Sequence, residues 1–143
     1  MKIALLNEND VDNVEKLYQK DFSDGWNKSM LLSSFRGGRF VCLGAFIDQV
    51  LIGVITITLG LDNADIEGIV VDSNYRRKGV ADKLFKHALD YIKGLNIDKI
   101  ILEVRASNFP AIQLYYKHGF KQISIRKKYY PNGEDALILI KEI

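Results

Sequence analysis

Apolar residues near the start of the chain recur at helical spacing, then give way to alternation of the kind strands show. Val11, Val14, Leu17 and Tyr18 fall on one helix face, and Asp10 ahead of them can cap the free N–H groups of a first turn. A helix is therefore predicted to run through about Lys20, after a short strand over residues 2–7. Ser23-Asp24-Gly25 signals a loop, and a second short helix is predicted from Lys28 to Phe35, stopped by Gly37-Gly38. Phe40 to Ile47 and Val50 to Leu59 are rich in β-branched and apolar residues, with only Asp48-Gln49 between them, which reads as a hairpin. Asp62-Asn63 marks the next turn.

The second half changes rhythm. Asp65 to Asp72 and Asp98 to Arg105 read as strands, and between them Val80, Leu84, Ala88 and Ile92 form the apolar stripe of a helix from about Val80 to Gly94. Ile100-Ile101-Leu102 lacks polar alternation, which predicts a mid-sheet strand covered on both faces. A short helix follows from Asn108 to about His118, with Asn108 as cap and Pro110 in the first turn, where its missing N–H is not needed. Phe120 to Tyr129 and Asp135 to Ile140 form a last hairpin around Pro131-Asn132-Gly133. The order is that of an α/β chain, an α+β mixed sheet with an antiparallel start and one parallel strand–helix–strand crossover. At 143 residues, one domain spanning 1–143 is expected.

Composition narrows the class. With 48% hydrophobic and 27% charged residues the chain reads as soluble and globular, and a net charge of +2 argues against a dedicated nucleic-acid binder. Cys42 is the single cysteine, so no internal disulfide forms, and a reducing, cytoplasmic setting fits. Its apolar strand predicts a buried thiol. Met1 to Leu6 turns polar at Asn7, too soon for a signal peptide or a membrane span. His87 and His118 have no cysteine or carboxylate at ligand spacing, so no metal is expected.

The strongest chemical signal is the passage from the fourth strand into the next helix. Ile66-Glu67-Gly68-Ile69-Val70-Val71-Asp72 leads to Tyr75-Arg76-Arg77-Lys78-Gly79, and the helix opens at Val80-Ala81-Asp82. A helix start carries unpartnered N–H groups and a partial positive charge, so an anion placed there is held by geometry and dipole together. Arg76, Arg77 and Lys78 add formal charge, and Gly79 lets the backbone approach a ligand. Gly68, inside a strand, suggests a bulge or a close backbone approach.

Arg76-x-x-Gly79-x-Ala81 resembles the acyl-CoA pyrophosphate motif of the GNAT N-acetyltransferase superfamily. Two later blocks resemble the same family in order and spacing: Asn108, Ala111, Leu114-Tyr115 and Gly119-Phe120, then Tyr129-Tyr130-Pro131-Asn132-Gly133-Glu134-Asp135-Ala136. The last block is similar to that of N-terminal α-amine acetyltransferases of the RimI type, which act on the N-terminal alanine of a ribosomal protein. The resemblance implies a GNAT fold, a mostly antiparallel mixed sheet flanked by helices, with a bulge at Gly68 splaying the one parallel strand pair. It implies acetyl-CoA as co-substrate, its pantetheine arm on Ile69, Val70 and Val71, its pyrophosphate on Arg76, Arg77, Lys78, Gly79, Val80, Ala81 and Asp82, and a further contact from Asn108. An oxyanion would fall to a backbone N–H near Val70 or Val71.

The same resemblance makes Glu103 the general base and Tyr115 the general acid, with Glu67 a rival base. It makes Trp26, Tyr129 and Tyr130 the walls that hold a substrate N-terminus. Each residue also has a plainer reading: Glu103 paired with Arg105 or a lysine, Tyr115 a core aromatic, Tyr129 and Tyr130 hairpin packing, Arg126-Lys127-Lys128 a solvated edge. Asp82 departs from the pattern, since a carboxylate opposes a nearby pyrophosphate unless Lys83 or Lys86 compensates. The implied partners are acetyl-CoA and a protein or peptide N-terminus, a ribosomal protein above all, with neither nucleic acid nor membrane. Two alternatives stay open: a relative acetylating a small amine or a lysine, and an acyl-CoA-binding domain without turnover.

Overall fold

A computed structural model describes residues 1–21 and 26–143, which leaves the predicted Ser23-Asp24-Gly25 loop outside the described residues. In chain order the elements are β1 Lys2–Leu5, α1 Val11–Asp21, α2 Lys28–Arg36, β2 Phe40–Ile47, β3 Val50–Leu59, β4 Asn63–Val71, α3 Val80–Lys93, β5 Lys99–Arg105, α4 Phe109–Lys117, β6 Lys121–Arg126 and β7 Ala136–Glu142. The strands pair in the order β1-β2-β3-β4-β5-β7-β6, antiparallel throughout except β4 with β5, which are joined through α3.

The local chemistry behaves largely as the sequence demands. Asp48 and Gln49 take φ of 50° and 66°, the positive pair that a two-residue hairpin turn needs. The first helical segment departs from expectation: Asn7, not Asp10, is the cap. Asn7 Oδ1 accepts from the Asn9 N–H at 2.8 Å, while Asp10 Oδ2 accepts from the Asn7 N–H at 2.9 Å, so the predicted cap residue closes the box from inside. The intervening Glu8–Asp10 turn is 3-10.

Two cores lie on either side of the sheet. Ile55, Ile57, Ile66, Ile100, Leu102 and Leu139 pack with Leu84, Phe85 and Ile92 of α3 and with Ile112 and Tyr115 of α4. Val14, Leu17 and Tyr18 of α1 and Leu31 of α2 pack with Cys42, Val54 and Val70. Burying Val80, Leu84, Phe85 and Ile92 is worth roughly 1.5–3 kcal/mol for each large side chain, against the roughly 1 kcal/mol that a side-chain cap would add. Packing therefore holds α3 although Gly79, its N-cap, supplies no side-chain hydrogen bond.

The expectation that β5 is covered on both faces is not met. Ile100, Leu102 and Val104 are buried, but Ile101 and Arg105 are only half-buried and Glu103 is exposed. Among the described residues the second core contains no β5 residue, so on this half of the sheet that core leaves one face uncovered. β6 is likewise shorter than predicted and exposed along its length, with a register break between Gln122 and Ser124. No helix among the described residues is long and apolar enough to cross a membrane.

Candidate active site

The site begins with one extra residue. Thr56 pairs with Gly68 and Ile57 with Ile66, so Glu67 is the inserted residue of a β-bulge. Ala64 and Ile66 face the α3 core, whereas Val70 beyond the bulge faces the α1 core, which is the reversal a one-residue insertion imposes. Pairing of β4 with β5 ends at Ile66 with Leu102. The strands part from there, and the wedge opens into a cleft of about 210 Å³.

Trp26, Glu67, Ile69, Glu103, Asn108, Tyr115 and Tyr130 meet in this cleft, as do Tyr18 and Arg105. Glu103 stands on the bare face of β5. Arg126 of β6 is a charged neighbour, with Nη1 3.8 Å from Oε1. Glu103 also pushes the Tyr129 phenol above its ordinary value, through hydrogen-bonding attraction first and charge second. Glu67 has its carboxyl raised, first by removal from water and then by the nearby charges of Asp65 and Glu103, with the Thr58 hydroxyl opposing.

Tyr115 is a core aromatic that also reaches the cleft. It is 5% exposed and packs on Phe85 and Phe120, with ring centroids 5.8 Å away in each case, yet it lines the cleft. Burial raises its phenol far above the usual range, so the hydroxyl keeps its proton at neutral pH. Asn108 caps α4, its Oδ1 accepting from the Ala111 N–H at 3.4 Å. Trp26 packs against Phe40 at 5.4 Å. Tyr130 lies under the Arg105 guanidinium, 4.0 Å from the ring centroid, and Arg105 reaches Glu134 at 3.3 Å. Glu134 in turn accepts from the Ser107 N–H at 3.2 Å, so the turn before β7 is fastened to the end of β5.

The basic turn lies before α3. Asp72 caps a 3-10 turn over Ser73–Tyr75 and pairs with Lys20 at 3.0 Å. Arg76 Nε donates to the Val71 carbonyl at 3.4 Å, and Arg77 takes φ 63°. Gly79 has φ 77°, and a Cβ there would meet nothing within 4 Å. The first turn of α3 is thus uncapped by any side chain and opens onto free space beside exposed Arg76, Arg77 and Lys78.

Two of the predicted cofactor residues have their side chains engaged elsewhere. The Val70 side chain is 3% exposed and buried against α1, so only its backbone can serve a ligand. Of the two lysines expected to compensate Asp82, Lys86 is the one beside it. The Asp82 carboxylate takes His118 Nε2 at 2.8 Å and Lys117 Nζ at 3.1 Å, with Lys86 at 3.6 Å, and its pKa is lowered chiefly by the His118 bond. His118 also stacks on Phe85 at 4.6 Å, so the start of α3 is tied to the end of α4. Cys42 is buried, and burial pushes its thiol up to about 12. Among the described residues no group of three or more His, Cys, Asp or Glu is placed to hold a metal.

Sequence reasoning missed Tyr18 and Arg105 as cleft residues. Tyr18 was hidden because it completes an apolar helix face. Arg105 carried the signal of a charged residue ending an apolar strand, but its partner lies across the fold.

Residues 11–120 match the acetyltransferase (GNAT) family. The [ribosomal protein bS18]-alanine N-acetyltransferase of Salmonella typhimurium is 30% identical over 96% of this chain and 94% of its own. The crystal structure of the ribosomal-protein-S18-alanine N-acetyltransferase from Escherichia coli superimposes with a TM-score of 0.93 at 30% identity, covering 99% of this chain and 93% of that one. A chain of the NatC complex, solved bound to Gag peptide and CoA, gives a TM-score of 0.83 at 25% identity, covering 100% and 99%.

Proposed function

The chain belongs to the acetyltransferase (GNAT) family, and from that premise we propose that it acetylates a protein N-terminal α-amine with acetyl-CoA, its acceptor being the N-terminal alanine of a ribosomal protein. The observation that carries the reading is the wedge. A carboxylate, a protonated phenol and an aromatic wall meet where the parallel strands part.

The residues fit the acyl donor. The open space at Gly79 and the uncapped first turn of α3 suit a pyrophosphate, with Arg76, Arg77 and Lys78 adding charge and Val80, Ala81 and Asp82 forming the turn itself. The Ile69, Val70 and Val71 backbone, without β5 beside it, suits the amides of a pantetheine arm, with Asn108 facing it from α4. Acetyl-CoA, when bound, supplies the acetyl group as a thioester ready for attack by an amine.

Glu103 takes the proton from the acceptor nitrogen, with Arg126 beside its carboxylate. Glu67 stands close enough to share that task. Tyr115, kept protonated by burial, holds a proton at Oη for the sulfur that leaves. Trp26 and Tyr130 both line the cleft, and Tyr129, which does not line it, packs edge-on against Tyr130 at 5.1 Å. Deprotonating a peptide α-amine at pH 7 costs roughly 1 kcal/mol, against roughly 4.5 kcal/mol for a lysine. A partly exposed glutamate is matched to the first. A cytoplasmic setting belongs to the same proposal.

The test is steady-state acetylation of short peptides bearing the ribosomal N-terminus, beside the same peptides blocked at the α-amine but carrying a free lysine. Acetylation confined to the free N-terminus is expected. Equal rates on lysine peptides or free polyamines would overturn the acceptor assignment.

A further inference from the structure

A hydroxyl chain that none of these roles uses buttresses the bulge from behind. Tyr18 of α1, 2% exposed, places its hydroxyl 2.7 Å from Thr56 Oγ1 on β3. Thr56 Oγ1 donates to the Gly68 carbonyl on β4 at 3.4 Å. A threonine hydroxyl has one proton, so with that proton directed at Gly68 the Tyr18 phenol is the donor in the shorter bond. Thr56 is the one polar residue in the buried core among the described residues, and this chain is what occupies it.

Gly68 fits the same device for a steric reason. Its φ lies outside the left-handed region, so its backbone does not require glycine. A Cβ at this position would come within 2.8 Å of the Tyr18 hydroxyl oxygen, and only 3.3 Å from Cε1. Gly68 is also where β4 changes faces after the inserted Glu67. A bulge weakens the ladder locally, and beyond it β4 has lost its β5 neighbour and keeps only β3 as a strand partner among the described residues.

We propose that the Tyr18 hydroxyl, acting through Thr56, is a positioning group for the acyl-donor edge of β4. It draws the Gly68 carbonyl toward β3 and so fixes the direction in which the backbone from Ile69 to Val71 faces the wedge. Tyr18 also packs beside Trp26, with ring centroids 6.4 Å apart, so the same side chain couples the acceptor wall to the donor edge. The inference rests on reading the wedge as the acetyl-CoA site.

Acetyl-CoA titration calorimetry on the full chain tests it. Tyr18→Phe and Thr56→Val each weaken binding about threefold to tenfold, the double variant is no weaker than either single one, and Thr56→Ser retains affinity. Gly68→Ala weakens binding further, and adding Tyr18→Phe to it recovers part of the loss because the clashing oxygen is gone. Ile57→Val, equally buried beside the bulge, lowers the melting temperature without changing Kd. Wild-type affinity in the hydroxyl variants, additive losses, or an equal loss in Ile57→Val would overturn the positioning role alone. Failure of the unaltered chain to bind acetyl-CoA would overturn the donor-site reading, and this role with it.

Discussion

Gly79→Ala separates strain from ligand binding. Gly79 sits at φ 77°, ψ 14°, where an alanine costs about 1–2 kcal/mol. Its Cβ meets nothing within 4 Å, so no packing penalty is added, and the lower entropy of the unfolded chain returns about 0.4–1 kcal/mol. The net loss is about 1 kcal/mol, or roughly 3 °C in melting temperature for a domain of this length. Acetyl-CoA should suffer more. The added methyl stands at the mouth of the α3 N-terminus, where charge-assisted bonds to a phosphate are worth about 1.5–3 kcal/mol each, so losing one raises Kd roughly 10- to 100-fold. Gly38→Ala is the matched control, with φ 81° and nothing within 4 Å, placed in the turn after α2. Scanning fluorimetry should give both variants the same small drop, and calorimetry should show weakened acetyl-CoA binding in Gly79→Ala only. Equal affinities in the two variants would refute the cradle.

Glu103→Gln should lower kcat about 100-fold at pH 7, and the deficit should shrink as pH rises past ~7.8, where the α-amine loses its proton unaided; a pH-independent deficit would count against Glu103 as base. Glu67→Gln should raise the melting temperature at pH 7. The Glu67 carboxyl is raised above 4.5 in the fold, so its ionised form penalises the folded state increasingly as pH rises through that range, and the gain should vanish near pH 4. Asp82→Asn should behave oppositely. The folded carboxyl is depressed below 3.8, so its stabilisation is present above that pH and lost as pH falls through the folded value; the melting-temperature gap from wild type should be open at pH 6 and close below 3.8.

What could be read from the chain depended on how far apart the deciding residues lie. β2 and β3 match their predicted ranges because the period-2 pattern and the Asp48-Gln49 turn are local. The fifth strand was placed correctly, but its covering was misread, because a continuous apolar run records only that side chains are apolar, and what covers each face is decided by where α1 and α2 dock. The bulge was legible at Gly68, although its inserted residue is Glu67, and the side chain that a Cβ at Gly68 would strike is that of Tyr18. The conflict at Asp82 was visible as a charge beside a phosphate motif. Its resolution by His118 was not, since the two are separated by 36 residues and meet only when α3 and α4 pack on the same face. Tyr18, Thr56 and Gly68 were each a small anomaly in its own element: a phenol on an apolar face, a hydroxyl in an apolar strand, a glycine inside a strand. A hydroxyl is costly to bury unless it is bonded, so each anomaly called for a partner elsewhere in the chain. Anomalies of this kind, matched to one another across elements, are where a sequence most directly marks the geometry of its site.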